Sequence, residues 1–354
     1  MHAKSDRSFF STTYDLEPER GRHGTDAALS SSMKSTAGSL TILLATLALT
    51  ACAGQSDAEA VDNLPVQSSL VDAEKLAVND DRETLMNVID GCREGGQAAG
   101  RYRTPSEQAM SAVERALKGF AEQNVVDVPE GFVAYDVGSL VVLCEAENHG
   151  GGAFVLRSDA QSPAVIEVPH SFYDLKSLDA GLALFSRLGA RALLVNTTHR
   201  YRGADCQRQN EGSHSDSCES DMTHSESTLF QAAHRGLIEG NADAMAIQVH
   251  GFAPRAQDPD IIVSNADTDA CYTQVADALN ERLPNHITFE YPEDIHELGG
   301  TLGVQAKHMQ AKGRRMMHLE LSKRLRTELS SDTALASDFA AAVAVGLTQF
   351  SCGG

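Results

Sequence analysis

From about residue 104 onward, short apolar runs alternate with segments whose apolar residues recur every three or four positions. A helix shows one face at that spacing, whereas a strand alternates its sides, so the two can be told apart. Met110, Val113, Leu117 and Phe120 predict a helix. It is entered through Thr104-Pro105-Ser106-Glu107, which has the form of a capping box with proline at the first helical position. Strands are predicted over 137–143, 153–156, 164–168, 192–195, 245–249, 287–290 and 316–321, and helices over 177–188, 225–238, 269–279 and 332–347. The polar stretch 197–221 reads as a loop and 299–303 as a turn. Strands separated by whole helices need crossover connections. The expected fold class is therefore α/β, with a largely parallel or mixed central sheet flanked by helices.

Three of the apolar runs end in polar side chains that a buried strand has little reason to carry. They are Val165-Ile166-Glu167-Val168-Pro169-His170-Ser171, Ile247-Gln248-Val249-His250-Gly251 and Met317-His318-Leu319-Glu320-Leu321. In open α/β sheets, ligands bind at the carboxyl ends of strands. Carboxylates and imidazoles at three strand ends suit a zinc ion, which takes His nitrogen and carboxylate oxygen and leaves a position for water at a catalytic site. Glu167, His170 and His250 are the expected ligands. Glu167 and His170 converge only if Pro169 turns the chain, because residues three apart on a strand face opposite sides. Alternation places His318, Glu320 and Ser322 on one side, and Glu320 is the candidate general base. Arg200, in Thr198-His199-Arg200-Tyr201 after another strand, could hold a substrate carboxylate through its planar fork, with His199 beside it. Asp221 and His224, just before a helix, form a further pair that reads either as a capping cluster or as ligands. His149-Gly150-Gly151-Gly152 resembles an esterase oxyanion loop, but no G-x-S-x-G accompanies it, so it reads as a turn. Ser171 beside His170 keeps a serine hydrolase open.

The 354 residues are 42% hydrophobic, enough for a sizeable core. A net charge of -20 argues against nucleic acid, whose phosphates need clustered Lys and Arg. Residues 39–49 are almost wholly apolar, too short to span a bilayer, and end in Leu49-Thr50-Ala51-Cys52, which resembles a bacterial lipobox. Residues 1–52 thus read as leader and lipoprotein signal peptide, with Cys52 the lipidated residue. Residues 53–81 read as a flexible acidic tether, and 82–354 as one hydrolase-like domain. The expected location is the bacterial cell envelope, with the membrane touched only through the N-terminal lipid. The six other cysteines suit disulfides in an exported protein, with Cys206 and Cys218, flanking a polar loop, the expected pair.

Val168-Pro169-His170-Ser171, His250-Gly251 and Leu319-Glu320-Leu321 followed by Arg324 and Arg326 resemble the N-formylglutamate amidohydrolase-like group, which is related to the zinc carboxypeptidases. The resemblance covers about residues 165–326. It implies a phosphorylase/hydrolase-type fold, one Zn2+ ion and hydrolysis of an amide. His170 and His250 would be ligands, Glu320 the base, and Arg326 a further substrate-binding candidate. Zinc carboxypeptidases order their first pair H-x-x-E, the reverse of Glu167 and His170, which leaves the third ligand open. Where formylglutamate enzymes carry an Asp-Leu-Asn-Arg-like segment, this chain has Thr197-Thr198-His199-Arg200, which leaves the substrate open. The expected substrate is a peptide, cell-wall fragment or acidic amide. The alternative is a lipoprotein that keeps the fold to bind a ligand or partner without turnover.

Overall fold

The computed structural model describes residues 81–98, 101–203, 218–253 and 259–349. Cys52, the leader and most of the tether lie outside them, as does Cys206. The chain opens with α1 (Asp81–Arg93) and α2 (Glu107–Gln123). It continues through β1 (Phe132–Val137), β2 (Leu140–Glu145), β3 (Ala153–Arg157) and β4 (Ser162–Val168). Then come α3 (Ser177–Arg187), β5 (Ala190–Val195), α4 (Leu229–Glu239), β6 (Met245–Phe252) and β7 (Ile261–Ser264). The last part is α5 (Thr273–Arg282), β8 (Thr288–Glu290), α6 (Val304–Ala311), β9 (Met316–Ser322), α7 (Lys323–Ser331) and α8 (Thr333–Thr348). No described helix is long and apolar enough to cross a membrane.

The strands form one nine-stranded mixed sheet in the order β1-β2-β3-β5-β4-β6-β9-β7-β8. Its centre, β5-β4-β6-β9, is parallel. An antiparallel meander, β1-β2-β3, extends one edge, and β7 runs antiparallel to β9 on the other. Period-2 alternation sorts the central strands between two cores. Ala164, Ile166 and Val168 of β4, Ile247 and Val249 of β6, and Leu319 of β9 pack with α3, α5, α7 and α8. Val165, Ala246 and Met316 face the opposite layer of α2, α4 and α6. A parallel sheet covered on both faces explains why these strands read as nearly continuous apolar runs.

Several local expectations are corrected. The single strand expected over 137–143 is a hairpin, reversed at Gly138-Ser139. The helix cap is Ser106, whose side chain accepts from the Ala109 N–H, not Thr104, so α2 begins two residues beyond Pro105. α4 starts at Leu229, after Thr228 caps the Gln231 N–H, four residues later than the apolar pattern suggests. β7 escapes notice because four residues carry too short a pattern. α7 escapes because it is mostly polar and buries only Leu325, Arg326 and Leu329. Cys92 and Cys144 form a disulfide that ties α1 to β2. Cys218 and Cys271 each belong to a disulfide as well. The expected pairing of Cys218 with Cys206 lies outside the described residues.

Candidate metal centre

The sheet order creates a crevice before any side chain is considered. From β4 the chain crosses one face through α3 to β5. From β5 it returns over the other face, through α4, to β6 on the far side of β4. The carboxyl ends of β4 and β6 therefore flank a topological switch point, the usual ligand crevice of open α/β sheets. Toward that end, the face that packs on α4 changes from apolar to polar. Val165, Ala246 and Met316 give way to Glu167 on β4, Gln248 on β6 and His318 on β9, which are in register with one another. One step further along, His250 stands opposite Glu320.

His170 follows β4 in a helical turn, with the Asp174 N–H donating to the His170 carbonyl at 2.8 Å. That turn brings side chains four apart onto one face, so His170 and Asp174 point the same way. His250 Nδ1 lies 3.1 Å from His170 Nδ1. Asp174 Oδ2 lies 3.4 Å from each of these nitrogens and accepts from the Gly251 N–H at 3.1 Å. All three side chains are buried. Three donors held about 2.0–2.1 Å from a tetrahedral ion would sit roughly 3.3 Å apart. The observed triangle has that size, and its donor set of two imidazoles and one carboxylate suits zinc. The residues present therefore fit the ion that the sequence implies.

The second nitrogen of each imidazole is anchored. His170 Nε2 lies 3.0 Å from Asp221 Oδ1. Asp221 also accepts from the Thr223 N–H and hydroxyl, contacts His224 Nδ1 at 3.2 Å, and forms an ion pair with Arg200. His250 Nε2 lies 3.0 Å from Gln248 Oε1. An acceptor at Nε2 assigns the proton there and leaves the Nδ1 lone pair for a metal. Arg200 Nη1 borders the cluster, 3.2 Å from His170 Nδ1. That nitrogen cannot serve both the guanidinium and an ion, so uptake of a metal must release this contact.

Glu320 and His318 form the second wall. His250, His318 and Glu320 are close enough to share an ion, and His318 Nε2 lies 3.9 Å from Glu320 Oε1. The His318 ring tilts against that of His250, with centroids 4.9 Å apart. Gly300, at a φ of +70, lies against this ring, where a Cβ would sit only 2.5 Å away. Burial, then the positive field of His250 and His170, holds His318 well below the ordinary range. His250 is pushed down to about 4, mainly by burial and partly by His170 and Arg200, against the pull of Asp174. His170 moves the other way: burial and Arg200 oppose its charge, but Asp221 and Asp174 outweigh them. Burial would raise the Asp174 and Asp221 carboxyls, yet their histidine partners hold both below the usual carboxylate range.

The expected residues thus divide. His170, His250 and Glu320 converge, and Arg200 and Asp221 brace them. Glu167 does not join the cluster. It points from β4 toward α4, where its Oε1 meets His234 Nδ1 at 2.5 Å and its Oε2 accepts from Gln248 Nε2 at 3.0 Å. The turn after Pro169 carries His170 away from it, so the expected convergence fails. Arg326, expected at the substrate, is buried, and all three of its nitrogens face backbone carbonyls. They bond to Leu175 at 2.6 Å, Phe252 at 3.2 Å and Ser322 at 3.4 Å. Gly251 permits this, because a Cβ there would meet the guanidinium at 2.1 Å. His199 stands on the rim, edge-on to Tyr173, with its Nδ1 accepting from the Tyr201 N–H. His224 touches Asp221 and not the ligand triangle. The Ser171 hydroxyl is buried and donates to the Asn196 carbonyl at 2.6 Å, so a serine nucleophile finds no support. Sequence reasoning missed Asp174, although its position four residues after His170 was a usable signal. It also gave no role to Gln248 or His234.

The sequence matches no family model and no curated protein. Among solved structures, the chain is similar to an N-formylglutamate amidohydrolase from Ralstonia eutropha, at 14% identity and a TM-score of 0.33, covering 56% of this chain and 99% of that one. A metallo-carboxypeptidase from Burkholderia cenocepacia matches at 14% identity and a TM-score of 0.32, over 69% of this chain and 70% of that one. An aspartoacylase family protein from Mesorhizobium loti matches at 11% identity and a TM-score of 0.28, over 58% of this chain and 71% of that one. At this level of similarity the chemistry has to be read from the residues themselves.

Proposed function

We propose that the domain is a zinc-dependent hydrolase of an amide bond, acting on a peptide-like or acidic amide substrate. The observation that carries this reading is the buried triangle of His170 Nδ1, His250 Nδ1 and Asp174 Oδ2, sized for one ion at a strand-end crevice. His170, His250 and Asp174 would hold the zinc. When bound, zinc supplies Lewis acidity toward a carbonyl oxygen and makes water more acidic. Glu320, opposite His250 across the β6–β9 pair, accepts a proton from water as its oxygen attacks the carbonyl carbon. The same carboxyl then returns the proton to the nitrogen as the C–N bond breaks. Arg200 lends positive charge beside the cluster, where negative charge develops on the carbonyl oxygen.

The test is metal analysis joined to one substitution. Wild-type protein purified with zinc should hold one equivalent. Glu320→Gln should keep that zinc while amide hydrolysis falls by about 100- to 10,000-fold, the range for a general acid-base group. Zinc-free protein after metal-replete purification would sink the reading. Full turnover by the Glu320→Gln variant would leave zinc and remove the base.

The N-terminal pattern supports a companion proposal, that the enzyme is lipidated at Cys52 and works in the cell envelope. Cys52→Ser should move it from the membrane fraction to the soluble envelope or leave it unprocessed. An unchanged membrane fraction would exclude the anchor.

A further inference from the structure

The face that packs on α4 hides a chain of polar groups that leads away from the triangle. From His250 Nε2 it passes to Gln248 Oε1 at 3.0 Å, and from Gln248 Nε2 to Glu167 Oε2 at 3.0 Å. From Glu167 Oε1 it reaches His234 Nδ1 on α4 at 2.5 Å, and from His234 Nε2 it reaches His308 Nδ1 on α6 at 3.0 Å. Glu167, Gln248 and His234 are all buried, among Val165, Ala246, Phe230 and Ala233. A carboxylate in such a place is costly to bury unless its partners use it. Packing alone would be served by a residue without charge.

We propose that Glu167 is a positioning residue for the metal centre, acting through Gln248 to choose which nitrogen of His250 is free to bind. The inference rests on the zinc reading above. A glutamine side chain can be turned end for end, presenting either its carbonyl or its NH2 to a neighbour. Glu167 Oε2 accepts from the Gln248 NH2 and so draws that end of the amide toward itself. Gln305 Oε1, at 3.4 Å, draws the same NH2, and the Gln305 amide is itself fixed by donation to the Met222 carbonyl at 2.7 Å. Gln248 Oε1 is thereby left facing His250. A carbonyl there requires the His250 proton on Nε2, so the Nδ1 lone pair faces His170 and Asp174. With the amide reversed, NH2 would face His250, the ring proton would move to Nδ1, and that nitrogen could not bind a metal. His234 holds the remote oxygen of Glu167 and so keeps the carboxylate aimed.

The test uses the full domain, stripped of metal and then titrated with Zn2+ against a chromophoric chelator. The proton position on His250 is read from nitrogen-15 NMR of the metal-free protein. Wild type should show the proton on Nε2. Glu167→Gln, nearly the same shape, should weaken zinc binding by about 10-fold, as losses among the partners of metal ligands do, and should mix the two ring forms of His250. The double exchange Glu167→Gln with Gln248→Glu then distinguishes orientation from packing. Glu at 248 can only accept, so it restores the demand for a proton on His250 Nε2. Gln at 167 can donate to it and still accept from His234. The exchange should recover most of the lost zinc affinity and the single ring form.

The proposal is overturned if Glu167→Gln leaves both zinc affinity and the His250 ring form unchanged, or if the exchange recovers neither. Should Glu167→Gln fold poorly, the exchange carries the test alone. Folded and zinc-competent supports the proposal, and folded but zinc-deficient refutes it. Failure of wild type to bind zinc would instead count against the proposed function, while the NMR measurement would still decide the role of Glu167.

Discussion

The two histidines of the cluster are 3.1 Å apart, yet they are held in opposite ways. His170 sits in a turn past the end of β4, and its far nitrogen rests on the Asp221 carboxylate, itself paired with Arg200 and touched by His224. His250 sits within β6, and its far nitrogen rests on an amide, Gln248, whose charge lies one residue further back on Glu167. The contrast reaches the electrostatics. His170 is drawn toward its charged form against burial, while His250 is pushed down to about 4. In the metal-free protein the neighbouring carboxylates thus favour charge on one ring while burial opposes it on the other, with Asp174 between them.

The comparison can be broken most directly at the two anchors. Asp221→Asn should weaken zinc binding by about 100-fold and Gln248→Leu by about 10-fold, the two ends of the range for groups that support metal ligands. The order follows from the charge-assisted hydrogen bond at His170 and the neutral one at His250. Calorimetric zinc titration of both variants checks it. Equal losses would mean that the two sides differ in appearance only.

Acidity offers a second way. His170 takes up protons more readily folded than unfolded, so its stabilisation is present below its ordinary value of 6.5 and is lost as pH rises through its folded value. His250 has the opposite sign. Between 6.5 and about 4 the unfolded chain binds its proton and the folded chain does not, so stability is lost as pH falls through that window. His318 adds to the second effect. His199 and His308 are lowered by burial and neighbouring positive charge as well, so four groups oppose one and the melting temperature of metal-free protein should fall between about pH 7 and about pH 5. A rise in melting temperature on acidification would show that His170 dominates.

The smallest effect concerns what both sides share. Arg326 ties the Leu175 carbonyl, next to Asp174, to the Phe252 carbonyl at the end of β6, so it joins the turn to the strand. Lysine has one nitrogen where arginine has three, and it cannot reach three carbonyls at once. Arg326→Lys should cost about 1–3 kcal/mol of stability by stranding buried acceptors, while one equivalent of zinc still binds. Chemical denaturation with metal analysis measures both. Loss of zinc with unchanged stability would return Arg326 to a direct role at the site.

The central strands were legible because burial on both sheet faces makes them apolar throughout, and polar residues at their ends stand out. His170, His250 and Glu320 are singled out on that signal, and His318 shares the side assigned to Glu320. Asp174 was harder, since the single helical turn that puts it on the face of His170 is too short to show a period of its own. Glu167 was misplaced because a carboxylate three residues before a histidine looks like a ligand whichever way it points. Only the packing of α4, with His234 reaching back to it, shows where it is spent. Arg326 was misplaced for the same reason: charge at a promising position does not reveal that three carbonyls already hold it.

Local pattern therefore determined the α/β class, the central strands and the kind of chemistry their ends can support, because period and composition act over a few residues. Which donors meet was decided by tertiary structure alone. The choice depends on strand order, on the switch between β4 and β6, and on competing partners from helices far away in the chain. The same imidazole or carboxylate binds, braces or stays buried according to the neighbour that reaches it first.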